Sequence, residues 1–221
     1  MIMKISRKLF ALIAIYALSL ISLNGCTKVY YDAMEKAGVH KRDILVDRVE
    51  GARDSQKQAQ EQFKSALERF ESIVQIRDTD LKKAYETLNA EHEDCRNAAQ
   101  RVSAKIDKVE SVADALFEEW RKELDLYENR EMKKSSGEKL DATRLQYRKM
   151  LVKMKRAEKS MAPVLAAFRD NVLFLKHNLN AQAIGSLKSE FSVLQDKIDG
   201  LIRRMNDSIE SSDRFIRDFR K

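Results

Sequence analysis

The sequence is poor in the residues that interrupt helices. It has one Pro and six Gly among 221 residues, and aromatic side chains make up only 7%. No alternating run of Val, Ile, Thr and aromatic residues bounded by turn residues predicts a strand. Charged residues make up 35%, and strong helix formers dominate, as is typical of coiled coils and long helices. The composition therefore predicts an all-α protein, and the length fits one domain or one elongated module.

Cysteine is nearly absent, and the position of the first Cys is informative. Cys26 follows a basic start, Met1–Lys8 with three positive charges, and an apolar run over Leu9–Ile21. This order predicts a secretory signal peptide, and the run is shorter than the roughly 20 apolar residues that span a bilayer. Leu23-Asn24-Gly25-Cys26 resembles the lipobox of bacterial lipoproteins, although Asn24 departs from the small or hydroxyl residue commonest at its place.

The lipobox resemblance implies that the Cys26 thiol carries a diacylglycerol and that residues 1–25 are removed. Each buried methylene of an acyl chain adds about 0.8 kcal/mol of membrane affinity. Thr27 stands where lipoproteins kept at the inner membrane have Asp, so the resemblance implies the periplasmic face of the outer membrane. An uncleaved inner-membrane anchor with an incidental Cys is the alternative. With Cys26 acylated, Cys95 has no intramolecular disulfide partner.

The longest regular pattern runs from Leu81 to Tyr127. Positions spaced alternately by four and three residues are apolar or small in twelve cases of fourteen, and His92 and Glu123 are the exceptions. No Gly or Pro interrupts the pattern, so it predicts one helix from about residue 80 to 131, with a length of roughly 78 Å. Its heptad stripe cannot be buried alone, so other helices must pack against it.

The same spacing predicts helices before and after the central one. Residues 41–76 form the first helix, and Asp78-Thr79-Asp80 supplies a turn and an N-cap, which makes the first two helices antiparallel. The next predicted loop is Lys133–Gly137. The third helix contains Pro163, which predicts a kink or a short break with Ser160 as the cap.

A phase change between Leu179 and Ile184 predicts a turn at residues 177–180, and a continuous helix with a stutter is the alternative. The expected fold is an elongated antiparallel bundle or coiled coil of three to four long helices over residues 41–221. Residues 26–40 would be a lipid-anchored linker with a short helix that places Tyr30 and Tyr31 near the membrane interface. One compact bundle and two staggered hairpins both satisfy the pattern, and the length of the central helix favours staggering.

Charge is divided unequally along the chain. Residues 27–129 carry 18 basic and 23 acidic side chains, whereas residues 130–221 carry 21 basic and 12 acidic ones. Residues 130–159 alone contain eleven Lys or Arg against four acids. Basic side chains near a membrane attract anionic head groups, and a solvated helix face with internal pairing is the alternative. The candidate membrane-surface contacts are Lys133, Lys134, Lys139, Arg148, Lys149, Lys155 and Arg156.

Groups suited to catalysis are sparse. His92 and Cys95 lie on one helix face, but two ligands are too few for zinc, and both fall on the apolar stripe, where packing is the expected role. The other predicted core residues are Trp120, Met154 and Met161. His177 is either a recognition point or a helix C-terminal group. No Gly-rich phosphate loop, nucleophile elbow or carboxylate pair is found, so we expect no enzyme, cofactor, metal site or small-molecule substrate.

Three stretches resemble an uncharacterised family of proteobacterial lipoproteins that is classed as a domain of unknown function. They are Lys41–Val49, Ala115–Trp120 and Phe174–Ala181. The resemblance covers almost the whole mature chain and implies a helical, coiled-coil envelope protein. It transfers no catalytic or binding residue, because no activity is established for that family.

Three functions are consistent with these features. The first is a non-enzymatic, lipid-anchored periplasmic spacer or scaffold whose partner is an envelope protein or a second copy of the chain. The second is a membrane-surface protein that binds anionic lipids through residues 130–159. The third is a metal or redox role at Cys95. The secretory signal argues against nucleic acid as a partner.

Overall fold

The computed structural model describes residues 31, 34, 38, 40–75, 80–178 and 181–220. It contains four long helices, α1 (Lys41–Gln75), α2 (Leu81–Glu123), α3 (Arg130–His177) and α4 (Ala181–Phe219), with a short 3-10 helix at Leu124–Leu126 between α2 and α3. No strand occurs in these ranges. The all-α prediction is confirmed.

The four helices form one antiparallel bundle. Each helix packs against the next one along the chain, and α4 also packs against α1. The Arg53 guanidinium lies 2.9 Å from the Asp213 carboxylate, and the Gln60 amide donates to Asn206 at 2.8 Å, so α1 and α4 run in opposite directions. The predicted central helix, α2, has 43 residues, whereas α3 has 48. The expectation that the central helix outruns every neighbour, and with it the argument for staggered hairpins, is wrong.

The core is built from the heptad positions that the sequence predicts. All nine on α1 are buried: Leu45, Val49, Ala52, Gln56, Ala59, Phe63, Ala66, Phe70 and Ile73. Aromatic clusters join the helices at both ends of the bundle. Phe70 of α1 stacks on Phe191 of α4 with centroids 5.9 Å apart and meets Phe168 of α3 edge-on at 6.2 Å. At the other end, Tyr147 of α3 meets Phe117 at 5.3 Å and Phe215 at 6.3 Å. Met154 and Met161 are buried as predicted.

The boundary between α2 and α3 differs from the prediction. The central helix ends at Glu123 rather than at about 131, and the predicted loop over Lys133–Gly137 lies inside the first turns of α3. The Asn129 side chain accepts a hydrogen bond from the backbone N–H of Met132 at 3.0 Å, which caps α3. Trp120, which is half-buried, donates its indole N–H to the hydroxyl of Ser136 at 2.9 Å. This cap and this bond favour a helix where Ser-Ser-Gly alone predicts a loop.

The opposite end of the bundle follows the prediction more closely. The Asp80 carboxylate accepts from the backbone N–H of Lys83 at 3.1 Å and is the N-cap of α2, while Asp78 and Thr79 lie outside the described residues. Helix α3 ends at His177, and the Asn178 side chain donates to the Phe174 carbonyl at 2.8 Å. A new helix begins at residue 181, so the turn is confirmed and the continuous helix is wrong; residues 179–180 lie outside the described part.

Pro163 does not interrupt α3, which is continuous from Arg130 to His177. The Ser160 hydroxyl donates to the Ala157 carbonyl at 2.7 Å, inside the helix, instead of capping a new one. The predicted break at this point is therefore wrong.

Two described residues before α1, Tyr31 and Met34, pack on the bundle. Tyr31 is buried, and its hydroxyl donates to Ser111 of α2 at 3.4 Å. Met34 packs against the core, and Gly38 has φ +84°, a left-handed conformation that suits the predicted glycine stop. The expectation that Tyr31 lies at a membrane interface is wrong, because the ring is enclosed by protein. Tyr30 and the predicted signal peptide, residues 1–25 with the lipidation site Cys26, lie outside the described residues.

One layer of the core is polar. Both amide atoms of Gln56 and the hydroxyl of Ser208 are buried and have no hydrogen-bond partner among the described residues. The α1–α4 pairs Arg53–Asp213 and Gln60–Asn206 flank this layer, so Gln56 lies level with the turn of α4 that carries the buried Ser208, Ser211 and Ser212. A buried polar group without a partner lowers stability by about 1–3 kcal/mol.

Replacing Gln56 with Met, which has a similar shape, removes two unpaired polar atoms. We expect Gln56→Met to raise the free energy of unfolding by about 1–2 kcal/mol, measured by urea denaturation. Gln60→Met is the matched control, because Gln60 has a hydrogen-bond partner, and it should give no gain. A loss of stability in Gln56→Met would contradict this account of the polar layer.

Candidate functional site

A groove between α3 and α4, which we call the basic groove, is a concave surface rich in basic side chains. Nine basic side chains line it: Arg148, Lys149, Lys153, Arg156 and Lys159 from α3, and Lys197, Arg203, Arg204 and Arg214 from α4. Only two acids, Asp196 and Asp218, share the lining. The sequence places these residues on one surface because Lys149, Lys153, Arg156 and Lys159 of α3 recur at intervals of three and four, which is one face of a helix, and Arg148 precedes Lys149 at its edge.

Most of these charges are not neutralised. Seven of the nine have no ion pair or side-chain hydrogen bond among the described residues: Arg148, Lys149, Lys153, Arg156, Lys159, Lys197 and Arg203. Arg204 donates to the Gly200 carbonyl at 2.9 Å, and Arg214 lies 3.8 Å from Glu210. Like charges on one helix face repel each other and reduce stability slightly, so the arrangement does not serve the fold. It produces a positive potential that attracts anions.

The groove continues into an apolar section beyond Pro163. Its apolar lining residues are Ala166, Ala167, Phe174 and Val193, and the polar ones include Asp170, Asn171, Ser189 and Glu190. At the other end, Leu145 and Val152 border the basic section, and Val152 is 57% exposed. The surface between α3 and α4 therefore combines a positively charged half with apolar side chains on both sides of it.

The seven candidate contacts predicted from the sequence do not form one surface. Arg148, Lys149 and Arg156 lie in the basic groove. Lys133 pairs with Asp125 at 3.1 Å, and Lys134 lies 4.0 Å from Glu138. Lys139 is exposed without an ion pair among the described residues.

Lys155 lies on the side of α3 that faces α2. Its amine is 2.7 Å from Glu110, 3.3 Å from Asp107 and 3.5 Å from Glu158. Partial burial alone would lower the pKa of Lys155, but the hydrogen bonds with Glu110 and Asp107 outweigh burial and raise it. Lys155 therefore links two helices, a role that its position in a basic stretch did not indicate.

Six of the nine groove residues are not among the seven named candidate contacts: Lys153, Lys159, Lys197, Arg203, Arg204 and Arg214. Lys153 and Lys159 lie within the predicted basic segment 130–159, whereas the four residues of α4 lie outside it. Those of α4 are interspersed with acids such as Asp196, Asp199 and Asp207, so α4 shows no basic excess. The signal that could have found them is the 177–180 turn, because an antiparallel hairpin brings the middle of α4 beside residues 148–159.

The His92–Cys95 pair belongs to the core. Cys95 is fully buried, and its thiol donates to the Gln62 carbonyl at 3.8 Å. Burial, with smaller contributions from the negative charges of Glu91 and Asp94, raises the pKa of the Cys95 thiol to about 12. A thiol that stays protonated at neutral pH is a weak nucleophile and a weak metal ligand.

The neighbouring His92 packs edge-on against the Phe168 ring, with centroids 5.7 Å apart. In the described part of the chain, no three His, Cys, Asp or Glu side chains are grouped closely enough to hold a metal ion. His177 is exposed in the last turn of α3, where a cation is favoured. Among the described helices, none is long and apolar enough to cross a bilayer.

A family comparison covers the groove and the whole bundle. The model of DUF2959, described as a protein of unknown function, matches residues 30–219. The chain belongs to the DUF2959 family. Comparison with curated proteins and with solved structures found no match. The DUF2959 match includes Tyr31 and all four helices, so the basic groove is part of the family domain. Membership assigns no activity and no residue role.

Lys155 is assigned to the interface between α2 and α3, whereas Lys159 is assigned to the groove. This difference in role can be tested with two variants of α3. Lys155→Met loses three carboxylate contacts and should lower the free energy of unfolding by about 1 kcal/mol, a modest value because the side chain is partly exposed. Lys159→Met loses no ion pair and should change stability by less than about 0.5 kcal/mol. Equal losses in chemical denaturation would contradict the assignment of Lys155 to the helix interface.

The raised pKa of Cys95 makes stability depend on pH in a defined window. The native thiol stays protonated above pH 9, whereas the unfolded thiol ionises with a pKa near 8.5. Unfolding then releases a proton, so stability falls as pH rises, by up to about 1.4 kcal/mol per pH unit. We expect the stability difference between wild type and Cys95→Ala to shrink by about 1 kcal/mol or more between pH 8 and pH 10. A pH-independent difference would show that the thiol is not held protonated.

Proposed function

We propose that this DUF2959 protein is a non-enzymatic envelope scaffold, anchored by acyl chains on Cys26 at the periplasmic face of the outer membrane, which presents the basic groove to a partner. The observation that carries the proposal is the excess of nine basic over two acidic side chains in one groove, seven of them without an ion pair among the described residues. Such a surface reduces stability within the bundle and gains favourable interactions when an anionic partner binds.

The position of Tyr31 supports the proposal that the basic groove faces away from the membrane. Val102 is a core residue of α2, and Ser111 follows it by nine residues, about two and a half helical turns. Ser111 therefore lies on the outward side of α2, and the Tyr31 hydroxyl is held there. Cys26 precedes Tyr31 by five residues, which reach at most about 17 Å. The acyl chains would then emerge near α2, a helix that does not line the basic groove.

A second candidate function has its own observation. The turn between α2 and α3 exposes Leu126 and Tyr127, and Leu126 is 78% exposed; Met132 is exposed in the first turn of α3. Lys133 and Lys134 lie beside them on the first turn of α3. Apolar and basic side chains on one tip suit the interface of an anionic bilayer. This tip, rather than the groove, would be the membrane contact in the alternative proposal that the protein binds anionic lipid surfaces.

The scaffold proposal is tested by photo-crosslinking in living cells. A photoreactive amino acid at Lys153, in the groove, should give a discrete crosslinked product with another protein, identified by mass spectrometry. The same group at Lys108, an exposed residue of α2 without an ion pair among the described residues, is the matched control and should not give that product. We expect the product to disappear in Cys26→Ala, because the partner is met at the membrane. Absence of any product specific to the groove would refute the scaffold proposal.

The membrane-surface alternative is tested with the Cys26→Ala protein and vesicles of phosphatidylglycerol. Binding at low salt that is lost at high salt, because exposed charges are screened, and that weakens in Lys133→Glu/Lys134→Glu would support a tip contact. Binding should then be unaffected in Lys153→Glu/Lys159→Glu, which alters only the groove. No sedimentation with vesicles at low salt would exclude this function.

A further inference from the structure

We infer that the basic groove and its apolar extension bind one acidic amphipathic helix of a partner protein. The inference rests on the proposed scaffold function and specifies what the scaffold holds. It follows from the shape of the groove, the placement of its apolar side chains and the distribution of its charges.

The shape is that of a straight trough between two antiparallel helices. From Leu145 to Phe174 the groove follows 30 residues of α3, a length of roughly 45 Å at 1.5 Å per residue. A partner helix of about 30 residues has the same length and packs between two helices by the ridge-and-groove rules that govern the bundle itself. A helix laid in a groove is a common mode of peptide recognition.

Apolar side chains occur where such a helix needs anchors. Leu145 and Val152 are exposed and separated by seven residues, two turns of one helix face. Phe174 and Val193 are exposed on the two sides of the distal section. These side chains would contact the apolar stripe of the partner helix, and none of them is explained by packing within the bundle.

The charges specify the polarity of the partner. The five basic groove residues of α3 extend from Arg148 to Lys159, roughly 17 Å of helix, and α4 contributes four more. A single phosphate contacts two or three such groups, so the array fits a linear ligand with repeated negative charges. The distal section instead carries Asp170 and Glu190. The partner helix should therefore be acidic over the half that lies beside residues 148–159 and largely neutral over the other half.

The test uses the acylated full chain in nonionic detergent and three fluorescently labelled peptides of about 30 residues. The first is a helix with a Leu heptad stripe and Glu on the flanks of one half. The second has Lys in place of each Glu, and the third is polyglutamate without apolar residues. Fluorescence anisotropy at physiological salt should show binding of the first peptide alone. Equal binding of polyglutamate, or no binding of the first peptide, would overturn the inference.

Matched charge reversals locate the binding site. Arg156→Glu/Arg203→Glu should weaken binding of the acidic helix by about tenfold or more, because each reversal adds repulsion in the groove. Arg101→Glu/Lys108→Glu, on exposed positions of α2 without ion pairs among the described residues, should leave affinity unchanged. Circular dichroism confirms that both variants are folded. Equal losses in the two variants would show that net charge, rather than the groove, attracts the peptide and would overturn the inference.

Failure of the inference and failure of the scaffold function give different results. A groove-specific crosslink in cells, together with no binding of the acidic helix, would support the scaffold function and exclude an acidic helix as the ligand of the groove. If anionic vesicles bind and Arg156→Glu/Arg203→Glu abolishes that binding, the groove takes lipid head groups and the helix inference is wrong.

Discussion

The structure depends on one constraint, which is that no single helix of this chain can bury its own apolar stripe. Each of the four helices carries heptad positions along its length, and each needs two neighbours to remove them from water. Closure of the bundle, with α4 returning to α1, satisfies all four at once. The aromatic contacts of Phe70 and Tyr147 then join three helices at each end.

This constraint explains which parts of the fold could be predicted from the sequence. All nine heptad positions that the spacing predicts on α1 are buried, and the turn near residue 178 is found where the phase changes, because burial follows from periodicity. Ile44, Val46 and Val74 are also buried, although they lie outside the predicted stripe. The start of α3 was misplaced because Ser135, Ser136 and Gly137 suit a loop locally. The cap at Asn129 and the bond from Trp120 to Ser136 depend on neighbouring structure, so they override that local preference.

The basic groove was only partly predictable for a related reason. The sequence of one helix shows how many basic side chains it carries. Successive residues of a helix project in different directions, so the sequence alone does not show which basic side chains share a surface. Lys155 turns toward acids of α2, whereas Lys159, four residues later, lines the groove and has no acid paired with it in the described structure. The contribution of α4 emerges only when two helices lie side by side. Sites formed between helices are therefore less visible in sequence than the helices themselves.

The contact of Tyr31 and the basic groove lie on different helices of the bundle. The Tyr31 hydroxyl bonds to Ser111 on the outward side of α2, while cations without an ion pair among the described residues are concentrated between α3 and α4. A protein that lies on a bilayer through its basic groove would bring both the anchor and the groove to the same side. With the anchor that we propose on Cys26, the contact of Tyr31 with α2 suits a bundle that is attached near α2 and binds a partner between α3 and α4.

The most direct test of this account is thiol labelling of the groove in intact cells, compared with the purified protein. Val152→Cys, in a Cys95→Ser background, places a thiol on the exposed border of the groove, and Lys108→Cys places one on α2. We predict that a small maleimide labels position 152 slowly in cells and rapidly after purification, while position 108 reacts equally in both. Equal labelling of position 152 in cells and after purification would mean that the groove is empty in the envelope, which would contradict the account.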